Sequence, residues 1–349
     1  SALLASSDKL QERLHLSFGR MAGKRTRTAG NLGVDFFAGR LRAKKGTIKI
    51  QRDRHQKYLK RCRRIFALKR AGYNMRELYA TGLEAYAHCG TEVIGMAPPQ
   101  LAEAQGQFLK LVGSPSRSAS RSLGLAIMGD PLWRQGLGPI LTYNSLAWKA
   151  ATNPKFQTFL DVPRLGQLAG PCMSRLPLTW GGARGPVGAA SLSLARIGWR
   201  FLAPFVLKAP EGDEYVLTST PPALLTYNLQ IAWKKRGGQK AARAVGLPTG
   251  AQIDTTAVQK TLQDHTMRPH QKAILRAFTT QALWSCSRLH SMGYDIDYKC
   301  PNCEHTSDSL HHRLFECPVT AALREEYFTP ADLDWIRQHP DARTLTQGL

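Results

Sequence analysis

Cys300-Pro301-Asn302-Cys303, followed by His312 after eight residues and Cys317 after four more, constrains this chain more than any other feature. Two thiolates separated by two residues can meet on one ion at a tight turn. The short step from His312 to Cys317 can close a tetrahedron from a helical turn. The spacing predicts a structural zinc site made of Cys300, Cys303, His312 and Cys317. Four protein ligands leave no coordination position for substrate, so the ion is expected to hold structure and not to catalyse. His311 stands as an alternative third ligand, while His305 follows Cys303 too closely to serve comfortably. The competing reading is a pair of buried cysteines beside a surface histidine. Seven cysteines in all, crowded toward the C-terminal end, fit a reducing compartment better than a disulfide framework.

Charge is the second constraint. Lys and Arg number 48 against 25 Asp and Glu, a net of +23, which points to a polyanionic partner such as nucleic acid. No run of apolar residues is long enough to span a bilayer and no signal-peptide core is visible, so neither a membrane nor secretion is expected. Fourteen of the cations fall between residues 40 and 70, where Asp53 is the single acid. From Gln51 onward Tyr58, Leu59, Cys62, Ile65 and Phe66 recur at helical spacing. Arg54, Lys57, Arg61 and Arg64 mark the opposite side, with Arg52 and Lys60 beside them. Four such cations along one helix track about 15 Å of phosphate backbone at about 1.5 Å per residue. The bland alternative is a solvated basic face.

Elsewhere the pattern reads as mainly α with small β-hairpins, an α+β chain. Lys24 to Phe37 and a short run from Thr47 to Ile50 read as strands feeding the basic helix. A helix is expected from Met75 to His88, and another opened by Pro98-Pro99 and reaching Val112. SPSRSASRS from Ser114 to Ser122 is a low-complexity connector. Asp130-Pro131 opens a helix carrying Trp133, Leu137, Ile140, Leu141 and Trp148. Gly166 to Gly188 reads as a glycine- and proline-rich stretch ending in a loop, TWGGARGPVG, before a helix from Ala189 to Gly198. Trp199 to Lys208 and Glu214 to Thr218 read as one hairpin. A helix begins at Thr220 and is expected to stop at Lys234-Lys235-Arg236-Gly237, where cations would offset the dipole. A last long helix, Arg268 to His290, leads into the zinc segment, with Cys286 read as core.

These residues resemble the reverse transcriptases of non-long-terminal-repeat (LINE-type) retrotransposons, downstream of their catalytic centre. Asn31, Leu32, Gly33 and Val34 fit the primer-grip strand of that family. Tyr86, Gly90, Glu92 and Val93 fit its thumb segment, and Cys300, Cys303, Asp308, His312, Cys317 and Pro318 fit its C-terminal zinc motif. The resemblance covers about residues 1–112 and 271–325. It implies an end of palm with a primer-grip hairpin over 1–50 and a three-helix thumb-like bundle over 51–112. A loop and linker helix would follow over 113–165, an α/β-hairpin region over 166–267, and a helical zinc-binding module over 268–349. It also implies that Asn31, Leu32 and Gly33 join Arg52, Arg54, Lys57, Lys60, Arg61 and Arg64 in holding RNA, an RNA–DNA hybrid or DNA, in an intracellular, nuclear setting.

Polymerases of this family hold two metal ions on paired aspartates, and no Asp-Asp pair occurs in this sequence. The expectation is a nucleic-acid-binding C-terminal fragment with structural zinc, inactive alone, Mg²⁺ belonging only to the missing catalytic palm. Asp35, Asp53, Asp130 and Asp161 read as turn or cap residues. The alternative is a stand-alone or relic nucleic-acid-binding protein with a zinc knuckle and no enzymatic activity.

Overall fold

The computed structural model describes residues 49–71, 73, 75, 78–84, 89–112, 119–173, 179–183, 185–304 and 307–338, with short stretches between 2 and 37. It is mostly helical, with small β elements, of which the first two strands pair parallel and the rest antiparallel. Two units divide it, one of residues 1–112 with 130–236 and one of 113–129 with 237–349. Among the described residues no helix is long and apolar enough to cross a membrane.

In the first unit a short pair, β1 (Ala2–Leu3) with β2 (Lys24–Arg25), precedes an antiparallel hairpin of β3 (Thr28–Asn31) and β4 (Val34–Phe37). Asn31 ends β3, and Leu32 and Gly33 lie outside the described residues. The strand expected around Thr47 to Ile50 is not formed at its end, because Lys49 and Ile50 already open helix α1 (Lys49–Arg70). Tyr58, Cys62 and Ile65 are the buried face of α1. The helix expected from Met75 appears over Tyr79–Glu84 as a π-helix, and residues 85–88 lie outside the description. Tyr79 meets Phe108 of α3 (Pro98–Val112) at 5.3 Å, and its hydroxyl lies 3.3 Å from that of Tyr58. Pro98 at the first position of α3 starts the helix at no cost in hydrogen bonds. The short helix α2 (Thr91–Ile94) precedes α3, with Gly90 at φ 90° at its head.

The main core gathers around α5 (Trp133–Thr152), the helix after α4 (Arg121–Met128) of the second unit. Leu137, Ile140, Tyr143 and Ala147 of α5 pack with Leu194, Phe201, Leu207, Leu225 and Leu229. Past the short α6 (Pro154–Gln157), α7 (Val162–Met173) runs into the stretch read as glycine- and proline-rich, and the helix expected from Ala189 to Gly198 starts four residues earlier as α8 (Gly185–Ala195). In α8 the buried positions are Gly188, Ala189, Ala190, Ser193 and Leu194. Small side chains let it lie close on α5, an effect that a hydrophobic period does not register. The TWGG loop is likewise ordered by packing. Trp180 fills the space beside Gly95, where a Cβ would sit 2.6 Å from its ring, and the Arg196 guanidinium stacks 4.5 Å over it.

The expected hairpin is a three-stranded meander: β5 (Arg200–Ala203), β6 (Val206–Lys208) and β7 (Glu214–Val216). Pro204 breaks the first expected strand, since it brings no N–H to a ladder, and its carbonyl accepts the Tyr143 hydroxyl at 2.8 Å. Helix α9 (Pro222–Ala244) also corrects the sequence reading, because it runs on through Gly237-Gly238. Two helical glycines cost about 1 kcal/mol each. Burial of Leu225 and Leu229 before them, and of Ala241, Ala242 and Val245 around the helix end, offsets that. Lys234, Lys235 and Arg236 are therefore mid-helix, and Lys235 pairs with Glu211 at 2.5 Å. Asp130 and Asp161 act as cap groups. Asp130 accepts from the Leu132 N–H, from Gln105 and from the Trp233 indole, and Asp161 accepts from the Arg164 N–H.

Glu84, at the end of the π-helix, makes this unit pH-sensitive. Burial, with Asp130 adding to it, raises its carboxyl to about 7, against the opposing pull of the Gln135 amide at 2.5 Å and of Arg134. The folded chain thus keeps a proton that the unfolded chain gives up near pH 4.5. Stability falls as pH rises between those two values. Glu84→Gln is expected to match the parent in urea unfolding near pH 4.5. It should exceed the parent by about 1–2 kcal/mol at pH 8, a figure discounted for partial exposure of the side chain. An equal gain at both pH values would place the effect elsewhere.

The second unit holds α10 (Thr256–Gln263), α11 (Pro269–Thr279), α12 (Cys286–Ser291), α13 (Ala321–Tyr327) and α14 (Pro330–Gln338). The single long helix expected from Arg268 to His290 is two. Gln281 adopts φ 58°, a left-handed turn that α-helix does not accept, and Ser285 caps α12 by accepting the Arg288 N–H.

Candidate metal centre and cationic helix face

Cys300 and Cys303 stand at the two ends of a tight turn closed by the Glu304 N–H on the Cys300 carbonyl at 2.8 Å, with Glu304 itself at φ 59°. His312 and Cys317 are five residues apart, which in an α-helix would leave them about 140° apart round the axis. The chain instead makes one π turn, His312–Glu316, in which the Cys317 N–H reaches the His312 carbonyl at 2.7 Å. That wider turn folds Cys317 back beneath His312, and Pro318 then ends it.

The three sulfurs of Cys300, Cys303 and Cys317 and a ring nitrogen of His312 all lie within 4.8 Å of one another, with Cys303 Sγ 3.1 Å from His312 Nε2. A tetrahedral zinc at about 2.3 Å from sulfur and 2.0–2.1 Å from nitrogen keeps its donors about 3.5–3.8 Å apart. The cluster therefore fits zinc with small adjustments. Cys300, His312 and Cys317 are buried. Burial raises the Cys300 thiol, but the N–H groups of Asn302 and Cys303 and the neighbouring thiols outweigh it. The thiol sits below the ordinary cysteine range, poised to ligate. His312 Nδ1 faces Glu316 at 3.5 Å, which leaves Nε2 turned to the sulfurs. His311 directs its Nδ1 to the same carboxylate at 3.1 Å and is not part of the cluster.

Asp308 is the part of the centre that residue spacing did not assign a role. It is fully buried, and its carboxylate takes a bidentate pair from Arg313, at 2.5 and 2.6 Å, and the Cys286 N–H at 2.5 Å. Its own N–H reaches the Tyr298 carbonyl at 2.7 Å and its carbonyl accepts the Ser287 hydroxyl at 2.7 Å. One residue thus ties the head of α12, the approach to Cys300, and the residue after His312. Cys286, read as core, is instead a half-buried member of this network. Desolvation raises Asp308, but Arg313 and the Cys286 N–H pull it below the usual carboxylate range, so it is charged when it does this. Asp308→Asn strands the Arg313 charge and is expected to weaken zinc binding by about 10–100-fold. Chelator competition on the full chain checks it, and unchanged affinity would make the pair incidental.

In α1 the residues Lys57, Lys60, Arg61, Arg63 and Arg64 are exposed, flanking or opposite the buried row of Tyr58, Cys62 and Ile65. Arg54 is half-buried and gives one guanidinium N–H to the Cys89 carbonyl at 2.8 Å. The side chain of Arg52 lies outside the description. The Cys62 thiol, pushed up to about 11 mainly by burial, is a core group.

Residues 250–323, a span that holds all four zinc ligands, match the family model described as zinc-binding in reverse transcriptase. Searches of curated proteins and of solved structures returned no match. The match and the geometry together support a reverse-transcriptase-related protein whose C-terminal region is built on a structural zinc site.

Proposed function

We propose that the chain is the nucleic-acid-gripping C-terminal part of a LINE-type retrotransposon reverse transcriptase. In this reading α1 lies along the template–primer or the element's RNA, and the zinc knuckle keeps the C-terminal region folded. The observation that carries it is the row of exposed cations on α1, with Asp53 as the single acid in that window. The zinc-binding match supplies the reverse-transcriptase connection. The hairpin at Asn31 would add a primer-grip contact. Bond formation is not assigned to these residues, because two-metal polymerisation uses paired aspartates that this sequence lacks.

Binding of the zinc-loaded chain to an RNA–DNA hybrid, to single-stranded RNA and to duplex DNA, each across a salt series, tests the reading. Preference for the hybrid or for RNA supports it. Equal affinity for all three, set by salt alone, would reduce the chain to a basic protein with a zinc knuckle.

A further inference from the structure

The zinc-bearing end of the chain has the opposite sign from the rest. Residues 295–338 carry four Lys and Arg against nine Asp and Glu, a net of −5 within a chain of +23. Zinc on three thiolates and a neutral histidine adds a further negative charge. A phosphate backbone is repelled by such a segment.

The same segment leaves apolar side chains in water. Val319, Leu323 and Tyr327 follow one another at four-residue spacing, across the turn Pro318–Thr320 and along α13, and are 61%, 58% and 75% exposed. Spacing of four keeps Leu323 and Tyr327 on one face of α13, and Val319 is exposed in the turn that leads into it, so the three form a stripe. The other side of the helix is pinned inward, since Thr320 and Arg324 both donate to the Cys317 carbonyl. An exposed carboxylate borders the stripe on the helix, Glu326, three residues after Leu323.

We propose that this stripe docks a cationic amphipathic helix of a partner protein. Its apolar face would cover Val319, Leu323 and Tyr327, and its Lys and Arg would meet Glu326 within this acidic segment. Acid around an apolar row selects a basic helix, as the cations of α1 select a polyanion. The two surfaces then have separate partners, and this inference stands apart from the nucleic-acid reading.

The test uses the zinc-loaded full chain and a labelled synthetic helix of Leu and Lys patterned on one apolar face, with a scrambled peptide of the same composition as control. An RNA oligonucleotide is measured separately. The patterned helix should bind at least about tenfold tighter than the scramble, and Leu323→Ser with Tyr327→Ser should erase that margin. Zinc content and RNA affinity of the double variant should stay at parent values, showing that the fold is intact. Equal binding of the two peptides would overturn the proposal, leaving charge alone. Loss of RNA binding in the double variant would overturn it in favour of a nucleic-acid platform. A dimer that the double variant abolishes would overturn it in favour of a second copy of this chain.

Discussion

Cys303→Ser is expected to abolish stoichiometric zinc and to unfold the C-terminal segment while the core around α5 stays folded. The reason lies in what is buried there. From residue 286 to 338 the buried residues among those described are Cys300, Asp308, His312, Cys317 and Ile336. Three of the five are zinc ligands and a fourth is the carboxylate that ties the ligand segments together, so Ile336 is the one ordinary core side chain. Apolar burial of that size contributes about 2 kcal/mol. Structural zinc in small domains contributes about 10–16 kcal/mol at neutral pH. The metal therefore decides whether the segment folds. Hydrogen exchange on parent and variant should show residues 295–320 losing protection, whereas amides in α5 and α8 keep theirs. Cys89→Ser, at an exposed thiol outside the cluster, should leave one zinc per chain. Retention of one zinc by Cys303→Ser would mean that another group supplies the fourth donor.

Legibility of the fold follows the range of the interactions. The zinc set could be read because four ligands lie within eighteen residues and their chemistry is local. Helix α3 could be read because Pro98 and an apolar period mark it without outside help. Asp308 appeared in the sequence only as an acid between ligands. Its work depends on Arg313, Cys286, Ser287 and Tyr298, which come together only when the segment folds. Helix α7 and the first turn of α8 were hidden for a different reason. Glycine and alanine punctuate a sequence when taken alone, yet here they are what allows α8 to approach α5. Likewise Gly237-Gly238 looked like a stop because its cost is local, whereas the burial that carries α9 past it lies on either side. At the cationic face the sequence marked the side that turns outward, while the half-buried state of Arg54 depends on a carbonyl thirty-five residues away.

Replacing Lys57, Lys60, Arg61 and Arg64 together by Ala should flatten the salt dependence of nucleic-acid binding without unfolding the chain. Alanine is at least as good a helix former as Lys or Arg, and Tyr58, Cys62 and Ile65, which hold α1 to its neighbours, are untouched. If all four cations meet phosphates, the log–log slope should fall by about 3.6 on duplex DNA and about 2.8 on a single strand. Between 50 and 200 mM salt that difference amounts to about 150-fold in duplex affinity, which the parent loses and the variant does not. Lys155 and Arg200 are exposed cations in the same unit, and they serve as the comparison. Their replacement by Ala should leave the slope near that of the parent, since a grip requires cations aligned on one rigid element. A fall of about half that size in the comparison variant, in proportion to its two charges, would mean that net charge alone attracts the polyanion. An unchanged slope in the quadruple variant would remove α1 from the interface, and the exposed arginines and lysines beside Tyr58 would then be a solvated face.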